Sequence, residues 1–344
     1  MNLLRFASIE IGSNAVRMII GQLKNSRELH VLERWSIHLR LGDVVFESGK
    51  ISEQKIQQLQ IAVKLLLEET ERFKQIRISL SATSAMRDAA NQDEVVSRLE
   101  SSILHPVNIL SGSEELCSLL EGIKAIMPAK MRKNYPLRQT ILVDLGGGSL
   151  EISLLESKNN LNNDSYFRHS FDIGTLRLHK INNPVQELES SLQQKLGPLL
   201  NVCKSELQEG SNLILTGGNA KTFARIFLQM TQATSTDEKK QFVTENWLSL
   251  DWSEYLLSEQ ILSKQTPAEQ TAQWKLGSQQ VEVFNLALAV FRIIGCELKT
   301  TKVSFPFFGL KEALLLRMAS LEVNKAMAEI KMFMITGPPK KHKI

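Results

Sequence analysis

The sequence predicts an α/β protein of two similar domains facing each other across a cleft. Three observations lead there. The chain has 344 residues, 43% hydrophobic and 23% charged. That is long enough for two separate cores and far from the composition of a disordered chain. Short strand-like runs alternate with amphipathic helical stretches along its length. One motif also occurs twice. Ile9-Glu10-Ile11-Gly12-Ser13-Asn14 returns as Val143-Asp144-Leu145-Gly146-Gly147-Gly148, 134 positions on. Each copy is an apolar residue, a carboxylate, an apolar residue and a turn of small residues. No shorter period exists, which argues against a solenoid.

The elements follow in order. Leu3 to Leu23 is strand, Gly-Ser-Asn turn, strand. Ile51 to Phe73 is an amphipathic helix, with Ile56, Leu59, Val63, Leu66 and Leu67 at helical spacing. Ile76 to Ala82 reads as a strand, Asp93 to Ser102 as a helix and Val107 to Leu110 as a strand. Ser111-Gly112-Ser113 breaks the chain before a helix, Glu114 to Ile126, whose acidic first turn suits the helix dipole. Pro128 to Pro136 reads as a linker, and the first domain is expected to cover 1–126.

Thr140 to Leu155 repeats the strand, turn, strand pattern, and Lys158 to Asp164 reads as an exposed hairpin tip. Val185 to Leu207 reads as helix, Asn212 to Leu215 as strand and Ala220 to Gln229 as helix. Trp247 to Ile294 is expected to be mostly helical, Thr301 to Phe305 a last strand, and Leu310 to Met334 one long helix. The apolar stripe Leu310, Leu314, Met318, Leu321 needs a partner surface, and the expected partner is the first domain. The second domain is then 127–309, and 335–344 reads as a disordered basic tail.

Lys+Arg 41 against Asp+Glu 37 gives a net charge of +4, which does not argue for a nucleic-acid partner. No continuous apolar run reaches the length of a membrane span, so no membrane partner is expected. Cys117, Cys203 and Cys296 are far apart and read as free thiols of a reducing compartment, the cytoplasm, with no leader segment ahead of the first strand. The six histidines, His30, His38, His105, His169, His179 and His342, form no metal spacing.

A strand that ends in a turn of Gly and Ser aims several backbone N–H groups at one point, which suits phosphate. The carboxylate before the turn can hold Mg²⁺ directly or through water. Gly12, Ser13 and Asn14 with Glu10, and Gly146, Gly147, Gly148 and Ser149 with Asp144, are two such units. Either alone is as readily an ordinary hairpin turn; duplication favours phosphate. Gly217 and Gly218, between a strand and a helix, make a third candidate anion turn. Neither duplicated turn is a Walker A loop or a dinucleotide fingerprint.

Eight segments then carry a family resemblance: ASIEIGSNAVRMII, RLGDVVFESGKIS, SATSAMRDAANQDEV, ILSGSEEL, ILVDLGGGSLEISLL, FDIGTLRL, LTGGNAKTFARI and FFGLKEALL. In that order they resemble the exopolyphosphatase and guanosine pentaphosphate phosphatase (Ppx/GppA) family, in its short two-domain form. The resemblance runs from about Leu4 to Arg317. It implies two actin-like, ribonuclease H-like domains of the sugar kinase, Hsp70 and actin superfamily. It implies Mg²⁺-dependent hydrolysis of the terminal phosphoanhydride of polyphosphate or guanosine pentaphosphate. It implies roles as well: Glu115 activates the attacking water, Arg87 contacts phosphate, and Thr83 and Ser84 add hydroxyl donors. Asp144 and Glu151, with Glu10 as the first-loop acid, position metal and water. A homodimer is common in the family.

The chain departs from the family pattern in several places. Glu10 stands where Asp is usual and Ala15 where Ser is usual. Leu116-Cys117 replaces Ala-Arg, Asn219 replaces Thr, and Gln280-Val281-Glu282 is nearest to a usual Arg-Ala-Asp. These departures keep open a catalytically weak or inactive protein that binds polyphosphate or guanosine tetraphosphate. An ATP-dependent kinase of the same superfamily is the third reading.

Overall fold

The structure, a computed structural model, describes residues 4–129, 131, 139–155, 168–180, 189–190, 192–198, 201, 207, 210–232, 243–244, 246–335 and 339–342. Contacts divide the chain into two units, Met1–Met127 with Phe308–Ile344, and Pro128–Phe307.

In the first unit β1 (Leu4–Ile11), β2 (Ala15–Lys24) and β3 (Glu28–His38) form an antiparallel meander. β4 (Ile76–Ala82) adds parallel to β1, and β5 (Val107–Ile109) parallel to β4. The helices are α1 (Leu41–Ser48), α2 (Glu53–Glu71), α3 (Ser84–Arg87), α4 (Gln92–Ile103) and α5 (Gly112–Ile126). The apolar stripe of α2 explains its place. Ile56, Leu59, Val63 and Leu66 share one buried core with Val16, Met18 and Ile20 of β2. Ser52 caps this helix, its hydroxyl accepting from the Lys55 N–H.

The second unit repeats the plan. β6 (Thr140–Leu145), β7 (Leu150–Leu154) and β8 (Arg168–Phe171) are antiparallel, and β9 (Ser211–Thr216) adds parallel to β6. β10 (Val243–Thr244) and β11 (Trp247–Asp251) extend this sheet beyond β12 (Thr300–Pro306), which is parallel to β9. Among its helices are α6 (Thr175–Lys180), α7 (Gly218–Gln232), α8 (Trp252–Ser263), α9 (Pro267–Trp274) and α10 (Ser278–Glu297). By length and composition α10 is apolar enough to cross a membrane; here Phe284, Leu288, Phe291 and Ile294 are buried in the core of the second unit.

The strand orders β3-β2-β1-β4-β5 and β8-β7-β6-β9-β12 are the same order twice. That is the arrangement of the two actin-like domains implied above. The duplication reaches the register: Glu10 opposes Arg17 as Asp144 opposes Glu151, and Ile11 opposes Val16 as Leu145 opposes Leu150.

Trp247 to Ile294 is mostly helical, as expected, apart from the strand Trp247 to Asp251, whose Trp247, Leu248, Ser249 and Leu250 are all buried. Two expectations are corrected. The helix from Leu310, α11 (Leu310–Val323), stops where Asn324 takes a left-handed conformation, φ 50°. A 3₁₀ turn (Met327–Glu329) and β13 (Lys331–Phe333) follow, the strand parallel to β3. The basic tail is in part ordered: β14 (Lys340–Lys341) also pairs with β3. α11 packs on α5, β1 and β2, so the chain ends within the first unit. The hairpin tip expected over Lys158 to Asp164, most of the helix expected over Val185 to Leu207, most of the linker, and Cys203 lie outside the described residues.

Candidate active site

In each unit, the functional residues expected from sequence gather at one edge of a sheet, where parallel strands end and turns begin. Such carboxyl ends are where open α/β sheets usually bind ligands.

In the first unit β1, β4 and β5 end together. The Thr83 N–H donates to the Ile11 carbonyl at 3.1 Å, and the Leu110 N–H to the Ala82 carbonyl at 2.9 Å. These bonds bring the Gly12-Ser13-Asn14 turn, Thr83, Ser84, Arg87 and the start of α5 to one place. Ser84 is buried, and its hydroxyl has no hydrogen-bond partner among the described residues. A buried donor without a partner costs stability unless a ligand takes it up.

The first turn of α5 is fixed by a reciprocal cap. The Glu114 N–H donates to Ser111 Oγ at 3.2 Å, and the Ser111 N–H donates to Glu114 Oε2 at 2.8 Å. Bonds from the Ser111 N–H and then its hydroxyl hold the Glu114 carboxyl below its ordinary pKa. Glu114 is thus the capping acid. Glu115, one residue on, turns inward and is only 9% exposed. Arg87 Nη1 donates to Glu115 Oε1 at 2.5 Å and to the Leu110 carbonyl at 2.6 Å. Asp88 is farther from Arg87, at 3.9 Å. Arg87 and Glu115, 28 residues apart in sequence, are therefore in direct contact.

The two duplicated turns are built alike. The Gly12 N–H donates to the Ala15 carbonyl at 3.1 Å, and the Gly146 N–H to the Ser149 carbonyl at 2.9 Å. In the first turn the Ser13 carbonyl accepts from the Gly42 N–H and the Asn14 carbonyl from the Arg40 N–H, both at 2.9 Å. In the second, Gly146, Gly147 and Gly148 carbonyls accept from Thr175 N–H, Leu176 N–H and Arg177 Nε. A trans peptide points its N–H opposite to its carbonyl. The N–H groups of Gly147, Gly148 and Ser149 therefore face away from α6, as a concavity for an anion. Gly174 makes this packing possible: a methyl there would lie 2.3 Å from the Gly147 carbonyl oxygen. Gly217 is needed for another reason, a φ of +98° beside Leu145 and Asp144.

The charges beside the two turns differ. Asp144 and Glu151 are cross-strand neighbours, with Thr216 Oγ1 donating to Asp144 Oδ1 at 2.7 Å and Ser170 Oγ to Glu151 Oε1 at 2.8 Å. Two oriented carboxylates suit Mg²⁺, which takes one or two carboxylates and completes its shell with water and substrate oxygens. Glu10 instead faces Arg17, whose Nη1 is 3.8 Å from Glu10 Oε1. Among the described residues no group of three or more His, Cys, Asp or Glu side chains forms a closed metal cage. Sequence reasoning gave no role to the side chains of Thr216, Ser170, Arg17 and Arg40 or to Gly174; of these, all but Ser170 sit within motifs that pointed to the right neighbourhood.

A fold duplicated in this way, with an acid ahead of each small-residue turn, defines a two-domain α/β protein of the actin-like class. Residues 19–322 match the model of the Ppx/GppA phosphatase family, and the chain belongs to that family. Exopolyphosphatase 2 of Mycobacterium tuberculosis is 28% identical over 218 residues, 60% of this chain and 66% of that protein. The curated relatives the chain matches are covered over 44% and 66% of their own lengths, less than two thirds. Two solved structures share the fold. A Cytophaga hutchinsonii exopolyphosphatase superposes with TM-score 0.78 at 20% identity, covering 92% of this chain and 98% of that one. An Aquifex aeolicus member of the Ppx/GppA family gives 0.70 at 19% identity, covering 93% and 99%.

Proposed function

We propose that the protein is a hydrolase that releases orthophosphate from the end of a condensed phosphate chain. Inorganic polyphosphate is the substrate class, with the 5′-triphosphate of guanosine pentaphosphate as its narrower counterpart. The Arg87–Glu115 contact beside the first turn carries this reading, and family membership supports it.

The chemistry follows from the residues. Turn N–H groups and the Thr83 and Ser84 hydroxyls bind and orient phosphate oxygens. Arg87 fixes the Glu115 carboxylate in one orientation. Glu115 takes the proton of the attacking water as the new oxygen–phosphorus bond forms. The bridging oxygen–phosphorus bond breaks, and the electron pair leaves with the shortened chain. Loss of such a general base typically costs roughly 10²–10⁴-fold. Asp144 and Glu151 are the residues that would hold Mg²⁺, which when bound offsets negative charge on the phosphates.

A second reading, a non-catalytic binder, has two observations in its favour. The Glu10–Arg17 pair occupies the first acid, and Leu116-Cys117 removes a cation next to the base. One experiment separates the readings: the purified chain is incubated with long-chain polyphosphate and Mg²⁺, with ADP as a control acceptor. Free orthophosphate supports the hydrolase. ATP formation supports phosphoryl transfer, and binding with neither product supports the binder.

A further inference from the structure

The pairing of five strands lines up one row of side chains on the first sheet. Ser81 of β4, Glu10 of β1, Arg17 of β2, Ser36 of β3 and Lys341 of β14 are directly opposed, each to the next. Opposed residues project to the same face of a sheet. Lys340, one residue earlier, goes to the other face. Its ammonium lies 4.9 Å over the Trp35 ring and 3.1 Å from Glu33. Alternation along the strand thus delivers Lys341 to the face of Arg17.

His38 lies on the same face two residues beyond Ser36, opposite Ala15. Its pKa is lowered, first by burial, then by Arg17, Lys341 and Arg40. The register thus sets Arg17, His38 and Lys341 on one face. A methyl placed on Gly12 would lie 3.5 Å from Arg17 Nη1, so the guanidinium rests against the first anion turn. Ser36 is small and lies between Arg17 and Lys341, which are two strand spacings apart, roughly 10 Å. Glu10 shares the charge of Arg17, and Asp43 engages Arg40 at 2.5 Å. Among the described residues Lys341 has no ion-pair partner.

We propose that Lys341, carried in by the C-terminal strand, extends the first anion turn into a rim that holds phosphates farther along the chain than the one cleaved. This rests on the polyphosphate reading and deepens it: the rim selects long condensed phosphate chains over short ones. β14 lies beyond residue 322, the last residue matched to the family. Lysine suits the task as a compact point charge on a flexible stem that follows a mobile polyanion.

The test measures binding in Mg²⁺ on a Glu115→Gln background of the full chain, which prevents turnover. Long-chain polyphosphate and tripolyphosphate are compared at several salt concentrations for Lys341→Ala, Lys341→Glu and Lys341→Arg. Lys341→Ala weakens long-chain binding roughly two- to fivefold, the range of one exposed charge pair, and lowers the salt dependence. Lys341→Glu weakens it further, Lys341→Arg restores it, and tripolyphosphate affinity stays level throughout. Equal weakening of both ligands, or of neither, overturns the rim alone, since orthophosphate release by the wild-type chain still reports on the hydrolase. If the Lys341-intact chain binds no long polyphosphate, the rim and the substrate reading both fall.

Discussion

The turn after β1 and the turn after β6 share a backbone and differ in charge. Both place an acid one residue before the end of a strand, and both close with the same N–H to carbonyl bond. Across the hairpin the first turn sets Arg17 against Glu10, whereas the second sets Glu151 against Asp144. The backbone geometry is dictated by the sheet, so it survives duplication. The cross-strand partner is free to change, and its sign decides what the turn can hold. An acid facing an arginine suits an anion, whereas two acids facing each other would suit a cation.

The largest expected effect lies beside the first turn. Glu115→Gln keeps the shape of the side chain and removes the base, so turnover falls roughly 10²–10⁴-fold, while polyphosphate binding persists. Steady-state orthophosphate release with a parallel binding assay checks it, and unchanged turnover would sink the assignment.

The next effect contrasts the supports of the two turns. Position 174 presses on the second turn, and a methyl there meets Gly147 and Gly148 backbone within 2.3–2.4 Å. Gly174→Ala should cost about 1–3 kcal/mol by overpacking, read as a lower urea midpoint. Beside the first turn the corresponding residue is Arg40, which takes a left-handed φ of 52°. Gly49, whose added methyl would meet open space but at φ +72°, offers a control for backbone strain without a clash.

Smaller still is Glu10→Asp. The shorter side chain draws back from Arg17, and a part-buried pair as long as this one, 3.8 Å, contributes about 1 kcal/mol. Activity should change only a few-fold and the Mg²⁺ concentration for half-maximal activity should stay where it was. A clear drop in the Mg²⁺ requirement would mean that Glu10 is a metal ligand after all.

The smallest effect is a pH slope. The folded state holds the His38 pKa below its ordinary value near 6.5, burial being the first cause and the surrounding cations the next. On acidification through 6.5 the unfolded chain takes up this proton before the folded one, so stability falls as pH falls. His38→Gln should flatten that slope between neutral pH and the folded-state pKa. Chemical denaturation at a series of pH values measures it.

Much of this architecture is legible in the sequence because local patterns and tertiary demands agree. The α2 stripe, β4, β6–β7 and the Gly-rich turns are all set by periodicity and turn chemistry. β14 is not legible, because Lys340 and Lys341 are polar and pair only through the open edge of β3, a tertiary circumstance. α11 ends early for a similar reason: Asn324 caps it, and the chain beyond is drawn to the same edge. At the site, Glu115, Arg87 and Asp144 follow from motifs and family resemblance. The contacts that each makes within its own unit do not. Thr216 on Asp144, Ser170 on Glu151 and Arg17 against Glu10 are cross-strand facts, fixed by a register that spacing along one strand does not reveal.

The division of labour between the two turns is tested most directly by metal binding to the protein without substrate. Titration with Mn²⁺ as a spectroscopic stand-in for Mg²⁺ compares wild type, Asp144→Asn and Glu10→Gln. Asp144→Asn should lose the bound ion, and Glu10→Gln should keep it at wild-type affinity. Retention in Asp144→Asn together with loss in Glu10→Gln would place the metal on the first turn and contradict the account.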